Sequence, residues 1–196
     1  MTSAKQNIHL VGMPGAGKST VGKALARALA LTFVDADQEL IAHTGVPIAT
    51  IFEVEGEAGF RDRETQILGE LCQRQGLLLA TGGGAVLREE NRRLLKASGA
   101  VIFLNASLDH LWQRTRNDSR RPLLQTDKPR DALRSLLEVR TPLYREVADL
   151  VVETGRQSVG KLVQQIVEDL HQGKLWPPVV AAATPATPLV TSGASA

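Results

Sequence analysis

The sequence predicts a three-layer α/β domain, with helices covering both faces of a parallel sheet. Short apolar stretches alternate about five times with stretches of helical spacing, the rhythm of a wound α/β fold. The apolar stretches are short, as in strands of a parallel sheet buried on both faces. A glycine-rich turn joins the first such stretch to the first helix.

The elements follow in order. Ile8–Val11 is a short buried strand running into glycines. Lys18–Leu31 carries Val21, Ala24, Leu25, Ala28 and Leu29 at helical spacing. Thr32–Asp35 is the second strand, and Phe60–Gln75 a helix with Ile67, Leu68, Leu71 and Cys72 on one face. Cys72 therefore reads as a core thiol. Leu77–Ala80 is a strand followed at once by glycines. Glu89–Ser98 is a polar helix, Val101–Leu104 a strand, and Leu108–Arg116 and Arg130–Val139 helices. Leu150–Glu153 is the last strand, and Val159, Leu162, Val163, Ile166, Val167 and Leu170 mark the last helix. No repeat is visible. The expected domain covers 1–175. Residues 176–196 form an Ala/Pro/Thr-rich stretch expected to be disordered, with Trp176 the one candidate for docking.

Composition limits the function classes. The chain has 196 residues, 43% hydrophobic and 22% charged, enough for one cored domain. Its net charge of +2 provides no global basic field for nucleic acid. One cysteine excludes a disulfide framework, and four scattered histidines show no metal-ligand spacing. No stretch reaches the ~18 apolar residues of a membrane helix, and Ile8–Val11 is too short for the apolar region of a signal peptide. A cytoplasmic protein without nucleic-acid or membrane partners is expected.

The strongest chemical signal is Gly12-Met-Pro-Gly-Ala-Gly-Lys18-Ser19. It is the phosphate-binding pattern of glycines, lysine and serine, set between a strand and an amphipathic helix. Gly15 and Gly17 let the backbone turn its N–H groups toward a phosphate, and the helix adds its positive end. Lys18 is placed to reach the terminal phosphates. The Ser19 hydroxyl is placed to ligate Mg²⁺ bridging them. The loop establishes nucleotide binding and leaves kinase, GTPase switch and motor ATPase open.

Three features narrow the class. Asp35-Ala-Asp37 ends the second strand, where parallel sheets bind ligands. The pair suits a metal-bound water and a substrate hydroxyl, or equally a helix N-cap. Thr81-Gly-Gly-Gly84 removes side chains at a strand end, for close approach of another molecule or for a simple turn. The basic residues are unevenly spread. Arg61 opens the helix after Gly56–Gly59, Arg140 precedes Thr-Pro-Leu-Tyr144, and Arg114–Arg134 holds seven basic residues against three acidic. That run contains a polar loop of about 12 residues, Asn117–Pro129, long enough for a lid. An arginine there would stabilise charge on a transferring phosphoryl group.

Taken together these residues resemble the shikimate kinase family. The phosphate loop, Asp35-x-Asp37, Phe60-Arg61-x-x-Glu64, Thr81-Gly-Gly-Gly84, Arg121-Pro-Leu-Leu and Arg140-x-x-Leu-Tyr144-x-x-x-Ala148 occur in that family's order, over about residues 7–172. The resemblance implies a P-loop kinase domain with a central five-stranded parallel sheet and a mobile lid, about 112–129. It implies transfer of the γ-phosphoryl of ATP to the 3-hydroxyl of shikimate, with Mg²⁺, by a monomer. ATP would lie against Gly15, Ala16, Gly17, Lys18, Ser19 and Thr20, under Arg121 and near Gln157. Asp37 would hold the attacking hydroxyl, Arg61 and Arg140 would clamp the carboxylate, and Gly82 and Gly83 would offer backbone. Asp35 would support Mg²⁺ through water, and Lys18, Asp37 and Arg121 would be catalytic. The alternatives are a gluconate-type kinase, a ligand-sensing regulatory module on the same fold, and a nucleic-acid-dependent ATPase using the arginine-rich stretch.

Overall fold

A computed structural model describes residues 7–116, 126–155, 157–173 and 175–176. Five strands, β1 Ile8–Val11, β2 Thr32–Asp35, β3 Leu77–Ala80, β4 Ala100–Ala106 and β5 Leu150–Thr154, form one sheet in the order β2-β3-β1-β4-β5. Every pairing is parallel. The helices are α1 Lys18–Ala28, α2 Ala36–Thr44, α3 Ile48–Gln73, α4 Glu89–Ser98, α5 Leu108–Thr115, α6 Pro129–Val147 and α7 Val159–Gln172. The expected α/β architecture holds, with one refinement. Only β1, β3 and most of β4 are buried on both faces, while the edge strands β2 and β5 alternate buried with partly open residues.

The register positions the chemistry. Asp35 of β2 pairs with Ala80 of β3, and Ala80 pairs with Leu10 of β1. The turns leaving these three strands therefore emerge side by side at one edge of the sheet. They are Asp35–Asp37, the glycine run 82–84 and the phosphate loop. The Thr81 N–H donates to the Leu10 carbonyl (3.1 Å), tying the second turn to the third.

Two helices differ from expectation, and both carry site residues. Arg61 does not open a helix: α3 begins at Ile48 and contains a kink at Gly56 (φ 69°, ψ −176°), five residues before Arg61. The glycine's left-handed φ makes the kink, which most side chains would resist. Ahead of it, α2 follows directly on β2. The Asp35 carboxylate caps it, accepting from the Asp37 N–H at 3.2 Å. At the other end, α6 continues past Val139 and through Pro142 to Val147. A proline there forfeits the backbone bond to the Glu138 carbonyl; one residue earlier, the Thr141 hydroxyl donates to the Leu137 carbonyl at 2.6 Å. Arg140 and Tyr144 thus lie one turn apart on one helix, both buried.

Cys72 is half-buried against the core, and burial raises its thiol pKa. Trp176 also packs on the core, its N–H donating to the Leu170 carbonyl. Residues 177–196 and 117–125, with Arg120 and Arg121, lie outside the described residues. Of the expected lid, Trp112–Thr115 is the second half of α5, and Pro129 begins α6. Among the described residues no helix is long and apolar enough to cross a membrane.

Candidate active site

The phosphate loop leaves β1 and ends on α1, as its glycines require. Gly15 and Gly17 sit at φ 83° and 99°, the left-handed region that only glycine enters freely. Gly17 is the N-cap of α1, with no side-chain cap and no acidic residue in the first turn. The helix start thus keeps its positive end for an anion. Lys18 folds back across the loop, its Nζ donating to the carbonyls of Gly12 (2.7 Å) and Met13 (3.1 Å). Ser19 donates to Asp35 Oδ2 at 2.7 Å, joining the first turn of α1 to the end of β2. Asp35 therefore caps α2 with one oxygen and holds Ser19 with the other, so its two sequence readings are compatible.

A cleft of about 470 Å³ opens over this loop. Gly15, Ala16, Gly17, Lys18, Ser19 and Thr20 line it, and Asp35, Asp37 and Gly83 line it as well. Phosphate-side and acceptor-side residues thus share one cavity. Gln157 lies on its wall, with its side-chain amide donating to Gln165 Oε1 (3.1 Å). Arg114, which the sequence showed only as one charge in a basic run, also lines the cleft and donates to the Gly15 carbonyl at 3.1 Å.

Arg61, Gly82 and Arg140 are not part of the cleft wall. They sit with Glu64 beside Asp37. Arg61 is 7% exposed and Arg140 3%. Arg61 donates to Glu64 Oε2 (2.7 Å) and Glu57 Oε1 (3.0 Å), and its guanidinium lies over the Phe60 ring at 4.9 Å. Burial pushes the Glu64 carboxyl above its ordinary pKa; the Arg61 and Arg140 cations pull it down, while the Asp37 charge raises it further. Glu64 is thus within electrostatic reach of all three. Glu64 Oε1 and Arg140 Nε are both buried without a hydrogen-bond partner among the described residues. Buried polar atoms are normally paired, so such an orphan donor and orphan acceptor point to a polar ligand.

The glycine run is short of side chains because its neighbours leave no room for them. A Cβ on Gly82 would stand 2.5 Å from Glu64 Oε1 and 3.0 Å from Asp37 Oδ1. On Gly83 it would meet Pro14 Cδ of the phosphate loop at 2.7 Å, and on Gly84 the Arg61 guanidinium. The run is the partition between the phosphate loop and the buried arginines. Sequence reasoning gave Glu64 and Tyr144 no role, though both stood in the quoted motifs. What marks them, burial against Arg61 and Arg140, exists only in three dimensions.

Comparisons with known proteins point to one family. A family model described as "Shikimate kinase" matches residues 14–171. A shikimate kinase of Burkholderia lata is 58% identical over 165 residues, which is 84% of this chain and 90% of that protein. The solved structure of an Acinetobacter baumannii shikimate kinase in complex with shikimate matches with a TM-score of 0.85 at 48% identity, covering 87% of this chain and 96% of that one. A gluconokinase from Sinorhizobium meliloti matches with a TM-score of 0.54 at 19% identity, covering 86% and 93%, a likeness of fold alone.

Proposed function

The chain belongs to the shikimate kinase family, and we propose how its residues divide that family's reaction among themselves. It is an ATP-dependent phosphotransferase that moves the γ-phosphoryl of ATP to the 3-hydroxyl of shikimate, a step toward chorismate and the aromatic amino acids. The observation that carries the assignment is the pair of buried arginines, Arg61 and Arg140, grouped with Asp37 behind a cleft lined by the phosphate loop.

The nucleotide phosphates lie against Gly15–Thr20. The N–H groups of the loop and of the α1 start face phosphate oxygen, and Lys18 leaves the Gly12 and Met13 carbonyls for the terminal phosphates. The Ser19–Asp35 contact suits a hydrated divalent cation, with serine oxygen as ligand and carboxylate accepting from bound water. Among the described residues no group of three or more His, Cys, Asp or Glu could hold a metal. Mg²⁺ would thus draw most of its ligands from phosphate and water, neutralising charge on the transferring group.

On the acceptor side, Arg61 and Arg140 take the shikimate carboxylate, since guanidinium pairs with carboxylate in a planar fork. The carboxylate fixes the ring, and the ring presents one hydroxyl to Asp37. Asp37 orients that hydroxyl toward the phosphoryl group and accepts its proton as the new bond forms. Gly82 and Gly83 offer backbone at the floor. Phosphoryl transfer needs little covalent work from protein, so this positioning supplies most of the catalysis. Arg121, outside the described residues, is assigned by the family resemblance to the nucleotide, and Gln157 and Arg114 line the cleft wall. The protein works as a cytoplasmic monomer on small molecules, with no nucleic acid or membrane as partner.

ADP release measured with shikimate, quinate and gluconate tests the substrate assignment. Shikimate is expected to be turned over fastest by a wide margin. Comparable turnover of gluconate would overturn the carboxylate clamp as the source of selectivity.

A further inference from the structure

Tyr144 is fully buried on α6, one turn beyond Arg140. Its ring stacks on Phe103 of β4, with centroids 4.9 Å apart and planes at 26°. Its hydroxyl donates to the Gly83 carbonyl and lies 3.8 Å from Met13 Sδ in the phosphate loop. Burial raises its phenol pKa, so the hydroxyl stays a donor through the working pH range.

The glycine run shows what that donor does. The Gly82 carbonyl accepts from the Ala85 N–H (3.2 Å) and the Gly84 carbonyl from the Leu87 N–H (3.0 Å). Tyr144 takes the remaining one, on Gly83. Each of the run's three carbonyls thus already accepts one bond, which favours its N–H groups as the contacts it offers a ligand. The peptide unit is planar, so holding the Gly83 oxygen also fixes the opposite direction of the Gly84 N–H. Two of the three anchors are local backbone bonds of the turn. The third comes from α6, the helix that carries Arg140, and only it links the partition to the acid clamp.

We propose that Tyr144 is a positioning residue for the acid substrate: its hydroxyl holds the Gly83 carbonyl, sets the glycine run with its donors facing the ligand, and keeps that run in register with Arg140. Three features suit the role: a ring locked by stacking, a buried hydroxyl set on the Gly83 carbonyl, and a place on the clamp helix. It acts through Gly83 and need not touch the substrate. The inference rests on the proposed seat of the acid at Gly82, Gly83, Arg61 and Arg140.

Tyr144→Phe removes the hydroxyl and keeps the ring. It is expected to raise the KM for shikimate about tenfold, the worth of one buried hydrogen bond, with the KM for ATP unchanged. A merely structural role would lower the melting temperature and leave both KM values alone, or raise them together. Either result overturns the proposal. Tyr144 is also the chain's single tyrosine. Incorporating 3-fluorotyrosine therefore places one fluorine probe at this phenol without any substitution. Its resonance is expected to shift on saturation with shikimate in the absence of nucleotide, and an unmoved resonance overturns the proposal even where the phenylalanine variant fails to fold. The Arg61→Ala and Arg140→Ala variants separate the two levels of the argument. Normal shikimate KM in those variants sinks the seat itself. Raised KM there, with Tyr144→Phe unaffected, sinks only the role of Tyr144.

Discussion

Asp37→Asn is expected to fold and melt like the wild type and to lose roughly 10²–10³-fold in turnover. The substitution keeps the side chain's shape. It also keeps the structural job of the residue, because the contact to Asp35 Oδ1 is made by the residue-37 backbone N–H. What it removes is negative charge at the point where a hydroxyl must lose a proton. Asparagine can still accept a hydrogen bond but cannot take up that proton. Charge near the first turn of α2 is worth only about 0.3–1 kcal/mol to the helix, so stability should move little. Thermal melting with ADP-release kinetics checks both halves. Turnover near wild type would remove Asp37 from the reaction.

Arg61→Ala and Arg140→Ala are each expected to weaken shikimate by about 2–5 kcal/mol, on the order of 30-fold or more, and to leave ATP affinity nearly unchanged. Each removes one arm of a buried, charge-assisted contact. The two variants should differ in stability. Arg61 is paired with Glu64 and Glu57, and Glu64 is 3% exposed, so losing Arg61 leaves a buried carboxylate without its nearest cation. Arg140 has a buried Nε without a partner, so its loss strands less. A lower melting temperature is therefore expected for Arg61→Ala than for Arg140→Ala. Separate titrations of the two ligands check the clamp, and equal loss for both would indicate general damage.

The phosphate loop was legible because its chemistry is local. Glycines, lysine and serine at fixed spacing between a strand and a helix determine one backbone path, and the structure follows it. The parallel sheet was legible for a similar reason, since buried strands such as Ile8–Val11 and Leu77–Ala80 declare themselves by apolarity. The helices ahead of Arg61 were not. In α2 only Ala36 and Leu40 are buried, and the kink at Gly56 splits the periodicity of α3, so neither leaves a clean 3.6-residue stripe. The helix read from the sequence ended at Val139, and α6 runs on through Pro142 to place Tyr144. Family resemblance brought Arg61 and Arg140 to attention as a pair. Why they belong together is visible only in the fold, where two residues 79 positions apart in sequence meet at Glu64. Arg114, Glu64 and Tyr144 stand in the same position: their sequence signals are ordinary, and their partners are distant in the chain.

The account's central claim is that the nucleotide phosphates sit in the cleft over the α1 loop and the acid's carboxylate on Arg61 and Arg140 behind it, with Asp37 between. A crystal structure with ADP, Mg²⁺ and shikimate bound tests it most directly. The account predicts both carboxylate oxygens within hydrogen-bond distance of Arg61 and Arg140, and a ring hydroxyl on Asp37 facing the β-phosphate. A shikimate carboxylate seated on other cations, with Asp37 turned away from the ring, would contradict it.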